Sequence, residues 1–284
     1  MTSIGDYHCN EVKRSWCPGC GDFGIEAALK SALSKSNIEP KRVMTVGGIG
    51  CSGLLPYWTK TNSFVGLHGR ALPAAIGMSI ADPDSQVVVM AGDGDAYGIG
   101  VGHLVHAFRR NQKLVYMVAN NGVYALTKGQ VSPTAELNAK GSSTPFGINM
   151  PPIDPISLAL ISGGTFVARG FAGDIPHLAE IIERAIAHEG FSFIDILQPC
   201  VSYHKNMCDP LYAAGIIKLE VSNHDAGDLN AALTQARGEN GNRKVGIFYC
   251  KENNSRKVSD AHVYAGCRSS EDILGLIRPM RVTG

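Results

Sequence analysis

No apolar run in the 284 residues approaches the roughly 18 that a membrane-spanning helix needs, and Met1 to Lys13 has nothing of a secretory signal. An excess of one charge sign is missing too. With 26 Lys and Arg against 25 Asp and Glu, the chain has no electrostatic footprint for nucleic acid or for an anionic membrane surface. Internal repeats and low-complexity tracts are also absent. These absences predict a cytoplasmic globular protein. Thiols stay reduced there, so the eight cysteines point to metal binding and not to a disulfide framework. The length fits about two domains, or one α/β domain with an extension.

What is present centres on Val87 to Leu126. Val87 to Met90 and Leu114 to Val118 are β-branched runs of the kind buried in a parallel sheet. Between them Val101, Leu104, Val105 and Phe108 recur at helical spacing, giving a βαβ unit. Both strands end in polar, Gly-rich turns, Gly92-Asp93-Gly94-Asp95 and Asn120-Asn121-Gly122. In doubly wound sheets the ligand crevice lies at the carboxyl ends of the strands, so the two turns should share one site. The glycines allow close backbone approach, the following helix offers free N–H groups to an anion, and Asp93 and Asn121 supply hard oxygens. With a phosphate, this donor set suits Mg2+. Gly92-Asp93-Gly94, twenty-five further residues and Asn120-Asn121 resemble the thiamine diphosphate motif. That resemblance implies Mg2+ on Asp93, the Asn121 side chain and the Val123 carbonyl.

Read in order, Met1 to Ser15 is a polar arm. Cys17-Pro18-Gly19-Cys20 is a knuckle that can aim two thiolates at one metal, and Asp22 is the expected N-cap of a helix running to about Lys35. A strand at Arg42 to Val46 enters the loop Gly47-Gly48-Ile49-Gly50-Cys51-Ser52-Gly53, whose Ile49, Gly50 and Cys51 join Gly92, Asp93, Gly94, Asp95 and Asn121 as expected cofactor contacts. Ser63 to Gly66 is extended. His68 stands in the next strand-to-helix turn, ahead of a helix over Leu72 to Ile80, and is a candidate for both cofactor contact and catalysis. Val123 to about Asp154 has no sustained period and is read as a loop covering the active site. Strands at Thr165 to Arg169 and Phe191 to Leu197 flank a periodic helix from Ile175 to Ile186, and the second strand ends in Gln198-Pro199-Cys200. Beyond Val201 the pattern weakens, with a helix at Leu229 to Ala236, a strand at Val245 to Tyr249, a polar loop at Lys251 to Ser259 and a helix at Glu271 to Ile277. The organisation expected is an arm over residues 1–15, a cofactor-binding domain over 16–204 and an extension over 205–284.

Cys17, Cys20, Cys51 and Cys200 lie on turns that such a fold can gather, whereas Cys9, Cys208, Cys250 and Cys267 lie outside any motif. Four thiolates suit structural zinc or a 4Fe-4S cluster. A single C-x-x-C with two distant cysteines leans toward the cluster and does not decide it.

In this order WCPGCG, GIGCSG, HGRA, GDGD, NNGVYALTKGQ, SPT and QPC resemble the β subunits of the 2-oxoacid:ferredoxin oxidoreductases, over about Trp16 to Cys200. The resemblance implies an α/β thiamine diphosphate-binding fold with a mainly parallel sheet and helices on both faces. It implies thiamine diphosphate, Mg2+ and a 4Fe-4S cluster on Cys17, Cys20, Cys51 and Cys200. The reaction implied is oxidative decarboxylation of a 2-oxoacid, with electrons passing through the cluster to ferredoxin and CoA taking the acyl group. It implies an α subunit that carries the glutamate for the aminopyrimidine, in an αβ heterodimer or a dimer of heterodimers. The KGQ form at Lys128 is similar to members acting on 2-oxoglutarate, and an ammonium there could hold a second carboxylate. Two rivals remain at this stage: a non-redox thiamine-dependent decarboxylase or carboligase, and a non-catalytic subunit with zinc in its cysteines.

Overall fold

The runs rich in valine and isoleucine form strands because each is covered on both faces, so successive side chains enter two different cores. A computed structural model describes residues 1–238 and 240–251. In chain order its described residues give α1 (Asp22–Lys35), β1 (Val43–Gly47), β2 (Asn62–Val65), α2 (Ala71–Ala81), β3 (Gln86–Gly92), α3 (Val101–Arg110), β4 (Leu114–Asn120), β5 (Val123–Tyr124), β6 (Gln130–Val131), α4 (Pro155–Ile161), β7 (Phe166–Phe171), α5 (Ile175–Ala187), β8 (Phe191–Leu197), α6 (Pro210–Ala214), β9 (Ile217–Lys218), α7 (Leu229–Arg237) and β10 (Lys244–Cys250). Eight strands make one sheet in the order β2-β1-β3-β4-β8-β7-β10-β9, and β5 pairs with β6 as a separate hairpin. From β2 to β7 every neighbour is parallel, and β10 runs antiparallel to β7.

Val88, Met90, Val115 and Met117 enter one core with the buried residues of α1 and α5. Val87, Val89, Tyr116 and Val118 enter the other, with residues of α2, α3, α4 and α7. This is the expected α/β sheet with helices on both faces.

The register puts the carboxyl ends level. Gly47 pairs with Met90, Gly92 with Ala119, and Asn120 with Leu197, so the turns after β1, β3, β4 and β8 leave the sheet side by side. Strand β2, paired through Val65 to Gly47, brings the His68 turn to the same edge.

Several local expectations are corrected. Asp22 is the first residue of α1 and not its cap; Gly21 holds that place, and no side chain caps the helix. Helix α3 does not start directly after Asp95, because a π-helical turn over Gly94–Ile99 comes first, closed by Gly100 N–H on the Asp95 carbonyl at 3.0 Å. Such widened turns are common at functional sites. The stretch from Val123 to Asp154 contains the β5–β6 hairpin. Helix α4 is too short for its period to register in the sequence, although Asp154 caps it through Ile156 N–H at 3.1 Å and Pro155 stands at its first turn.

The arm is tied down. Tyr7 is fully buried. Arg14 reaches Glu26 through Nε at 2.9 Å and Nη2 at 2.6 Å, while the buried Lys30 reaches Glu26 at 2.6 Å and the Trp58 carbonyl at 3.1 Å. The expected helix at Glu271 to Ile277, Cys267 and the loop from Glu252 to Ser259 lie outside the described residues.

Candidate active site

Asp93, at the end of β3, is 2% exposed. Its Oδ1 accepts from Gly94 N–H at 2.8 Å; its Oδ2 accepts from Gly122 N–H at 2.7 Å, Ser132 Oγ at 2.6 Å and Thr134 Oγ1 at 2.9 Å. All these donors are neutral. Burial pushes the Asp93 carboxyl above the ordinary carboxylate range in spite of them, the situation of a group that needs a cation. Oδ1, with one donor, retains a lone pair for it. Asn121 is 7% exposed, and its Oδ1 takes Val123 N–H at 3.0 Å, again leaving one acceptor site. Asp93 and Asn121 therefore fit a hard dication, with the Gly92 to Asp95 turn, which opens a helical segment, beside it for a diphosphate.

Asp95, two residues on, faces the other way along the same edge. Its Oδ1 accepts from His68 Nδ1 at 2.6 Å, Gly69 N–H at 2.8 Å and Ile49 N–H at 3.1 Å, locking the turns after β1 and β2 to the turn after β3. A Cβ at Gly48 would collide with this carboxylate, so only glycine lets the backbone pass so near. The His68 side chain is 41% exposed, leaving its second ring nitrogen free to meet a ligand.

The four cysteines lie on three segments tied together by hydrogen bonds: the knuckle before α1, the loop after β1 and the turn after β8. Cys17 and Cys20 bracket a turn with Pro18 at its second position and Gly19 at φ +81, closed by Cys20 N–H on the Cys17 carbonyl at 3.0 Å; this is a type II turn, for which Pro-Gly is the preferred pair. Trp16 Nε1 donates to the Cys51 carbonyl at 2.7 Å, which holds the knuckle to the loop after β1. Gly21 N–H donates to the Pro199 carbonyl at 3.1 Å, and Cys17 Sγ lies 3.3 Å from Ser202 Oγ, which holds the knuckle to the turn after β8. Burial pushes the Cys51 thiol up to about 11, and the charges of Asp22, Cys200 and Cys17 add to the effect. Cys20 is driven well above the usual thiol range by burial, then by Asp22 and, more weakly, by Cys200. Cys51 thus feels Cys17 and Cys200, and Cys20 feels Cys200, and thiols as reluctant to ionise alone as Cys20 and Cys51 become ligands where a metal compensates their charge. Among the described residues, no three His, Cys, Asp or Glu side chains gather closely enough for a single metal ion.

Lys128 stands apart. It is exposed in the connection between β5 and β6 at φ +80, and among the described residues it forms no ion pair. Beside the Asn121 turn opens a cavity of about 470 Å3, whose lining includes Thr134, Glu136, Asp154, Arg169, His204 and Arg237.

Sequence reasoning gave no role to Ser132, Thr134 or Gln198. Gln198, 1% exposed, accepts from Asn121 Nδ2 at 2.7 Å and donates to Cys20 Sγ at 3.2 Å. All three lie within the SPT and QPC motifs, and that was the available signal. Asp195, fully buried, was missed as well: it takes Asn120 Nδ2 at 3.0 Å, Tyr97 OH at 2.8 Å and Arg169 Nε at 2.7 Å.

Comparison with known proteins identifies the fold around this site. Residues 48–196 match the family of thiamine pyrophosphate enzymes, C-terminal TPP-binding domain. The chain is 45% identical over 249 residues to a 2-oxoacid:ferredoxin oxidoreductase subunit beta of Saccharolobus solfataricus, covering 84% of this chain and 82% of that one. It is 35% identical over 234 residues to a 2-oxoglutarate synthase subunit KorB of Methanocaldococcus jannaschii, covering 82% and 86%. In structure it resembles a 2-oxoglutarate:ferredoxin oxidoreductase from Magnetococcus marinus, solved with 2-oxoglutarate, coenzyme A and succinyl-CoA bound, at a TM-score of 0.89 and 34% identity over 99% of this chain and 97% of that one.

Proposed function

Because the chain belongs to the β-subunit family of the 2-oxoacid:ferredoxin oxidoreductases, we propose that it oxidises 2-oxoglutarate to succinyl-CoA and CO2, binding Mg2+ through Asp93, Asn121 and the Val123 carbonyl and a 4Fe-4S cluster through Cys17, Cys20, Cys51 and Cys200. The enzyme class and the thiamine diphosphate-binding domain are properties of the family; the acid, the metal ligands and the cluster are this reading. The observation that supports it is that the buried Gln198 joins Asn121 to Cys20 by two hydrogen bonds at one sheet edge.

Thiamine diphosphate would supply a carbon nucleophile for the 2-oxo carbon and an electron sink for loss of CO2, and a cluster on Cys17, Cys20, Cys51 and Cys200 would supply one-electron acceptance. The protein's own part is positional. Asp93 and Asn121 fix the cation, and with it the diphosphate. Ser132 and Thr134 fix Asp93. Asp95 holds the Ile49 and His68 turns, where Ile49, Gly50 and His68 would face the cofactor and the exposed nitrogen of His68 would carry a proton for substrate. Lys128, through its ammonium, receives the distal carboxylate, an assignment supported by its free charge.

The α partner and ferredoxin follow from the family. An αβ heterodimer or its dimer is supported by the exposed Leu126, Leu137, Phe146 and Met150 between β5 and α4, apolar surface suited to a partner subunit. The division into a 1–15 arm, a 16–204 cofactor domain and a 205–284 extension is retained as part of the same reading. Among the described residues, no helix is long and apolar enough to cross a membrane.

The test is the visible and EPR spectrum, with iron, sulfide, zinc and magnesium analysis, of the anaerobically purified complex. Iron and sulfide near equal amounts with bound thiamine diphosphate are expected. Zinc in place of iron would leave a subunit without electron transfer.

A further inference from the structure

Gln198 is a buried amide between the two ligand sets, with both ends engaged. Its orientation is fixed without reference to any bound group. Val123 N–H can only donate, so the Asn121 atom facing it is Oδ1, and Nδ2 then points at Gln198. Gln198 must answer with Oε1, and its own N–H is left for Cys20 Sγ. Two amides in series therefore run from a proposed Mg2+ ligand to a proposed cluster ligand. The backbone N–H of Gln198 donates to the Asn120 carbonyl at 2.9 Å and Gly21 N–H to the Pro199 carbonyl at 3.1 Å, so the chain of bonds is held at both ends by backbone.

We infer that Gln198 couples the two cofactor sites, so that cation–diphosphate binding at Asn121 raises the reduction potential of the cluster at Cys20. This rests on the assignments made under Proposed function. An Asn121 oxygen sharing its lone pair with a dication leaves Nδ2–H a stronger donor to Gln198, which in turn makes Gln198 N–H a stronger donor to sulfur, since hydrogen bonds in series polarise one another. A hydrogen bond to a cluster sulfur stabilises the more negative, reduced state and raises its potential. By linkage the reduced cluster should also tighten cofactor binding by the same factor. The consequence is an acceptor that becomes easier to reduce when the electron donor's site is filled.

The experiment is an EPR-monitored redox titration of the anaerobic holo-complex, with and without Mg2+ and thiamine diphosphate, in the parent, Gln198→Met and Gln198→Glu. In the parent, cofactor should shift the reduction equilibrium about fivefold, the low end of ordinary coupling between sites, or roughly 40 mV at about 59 mV per tenfold for one electron. In Gln198→Met, which loses both bonds, the shift should vanish and cofactor binding weaken. Gln198→Glu keeps the acceptor for Asn121 but, ionised, lacks the N–H toward Cys20. It should bind cofactor at least as tightly as the parent and show no shift. A parent potential indifferent to cofactor overturns the coupling, as does a shift that survives in Gln198→Met. Loss of iron from both variants also overturns it, since Gln198 would then be holding the cluster in place and not tuning it. A parent without iron would instead remove the cluster assignment itself, so the two failures are distinguishable.

Discussion

His68 Nδ1 lies 2.6 Å from Asp95 Oδ1, and the same oxygen also takes the backbone N–H groups of Gly69 and Ile49. One carboxylate thus sets the ring orientation of the histidine and the path of the glycine loop next to it. Replacing His68 by Ala should lower kcat about 10²-fold to 10⁴-fold if the ring transfers a proton, with thiamine diphosphate affinity little changed. Asp95→Asn should lower both, because the loop that shapes the cofactor site depends on the same oxygen. Steady-state kinetics and cofactor titration separate the two variants. Unchanged kcat in His68→Ala would confine the residue to positioning Asp95.

Asp93→Ala should abolish Mg2+-dependent binding of thiamine diphosphate, and Asn121→Ala should weaken it. Thr134→Val, which removes one donor from Asp93 while keeping its volume, should weaken binding by about 10-fold to 100-fold, the usual effect of losing an outer partner of a metal ligand. Equilibrium dialysis across magnesium concentrations measures all three, and parent-like binding by Asp93→Ala would sink the site.

Alanine at Cys17, Cys20, Cys51 or Cys200 should reduce iron in the purified protein, whereas alanine at Cys250 or Cys267 should leave it at the parent level. Metal analysis under anaerobic purification gives the answer directly. Iron retained after all four replacements is incompatible with the cluster assignment.

Lys128→Met should raise KM for 2-oxoglutarate by about 10-fold to 100-fold, equivalent to roughly 1.4 to 2.8 kcal/mol, and leave a monocarboxylic 2-oxoacid nearly unaffected. Equal effects on both acids would take Lys128 out of substrate selection.

Stability should depend on Glu26. Burial raises its carboxyl, but Arg14 and Lys30 outweigh that and hold it below the ordinary value of 4.5, while burial lowers Lys30 in spite of Glu26. A carboxyl depressed in the fold contributes stability that is present above about pH 4.5 and is lost as the pH falls through its folded value. Glu26→Gln leaves Lys30 charged and buried, which should cost about 3 to 5 kcal/mol at pH 7. Urea melts at pH 7 and pH 4 should show that difference shrinking with acid; a constant difference would mean that the effect is one of packing.

The sheet was legible because its signal is local. Val87 to Met90 and Phe191 to Leu197 are dense apolar runs between glycines or prolines, and Ile175 to Ile186 keeps a helical period with few exceptions. The position of Asp22 was not, since a residue that looks like a cap can as well be the first turn when a glycine precedes it. Its carboxylate is occupied elsewhere, by Ser52 Oγ at 2.8 Å. Ligand residues were legible by motif, but what holds them was not: Ser132 and Thr134 reach Asp93 across 39 and 41 positions, and Gln198 reaches Cys20 across 178. Such partners are chosen by strand register, and no spacing rule in one sequence reports register between distant strands.

The position of β8 has a consequence for how the protein is made. This strand lies between β4 and β7, and the Cys200 turn follows it, whereas Cys17 precedes the first strand. About 180 residues separate the two cysteines, which at about 5 to 20 residues per second is roughly 9 to 36 s of translation. For the last 77 or so residues of it, roughly 4 to 15 s, β4 has no partner on one side, and the thiols of Cys17, Cys20 and Cys51 wait without the fourth. If the four cysteines hold a cluster, its delivery would therefore follow release of β8 from the ribosome. A nascent chain stalled before it would present an unpaired, apolar edge to its neighbours, the form most prone to aggregate.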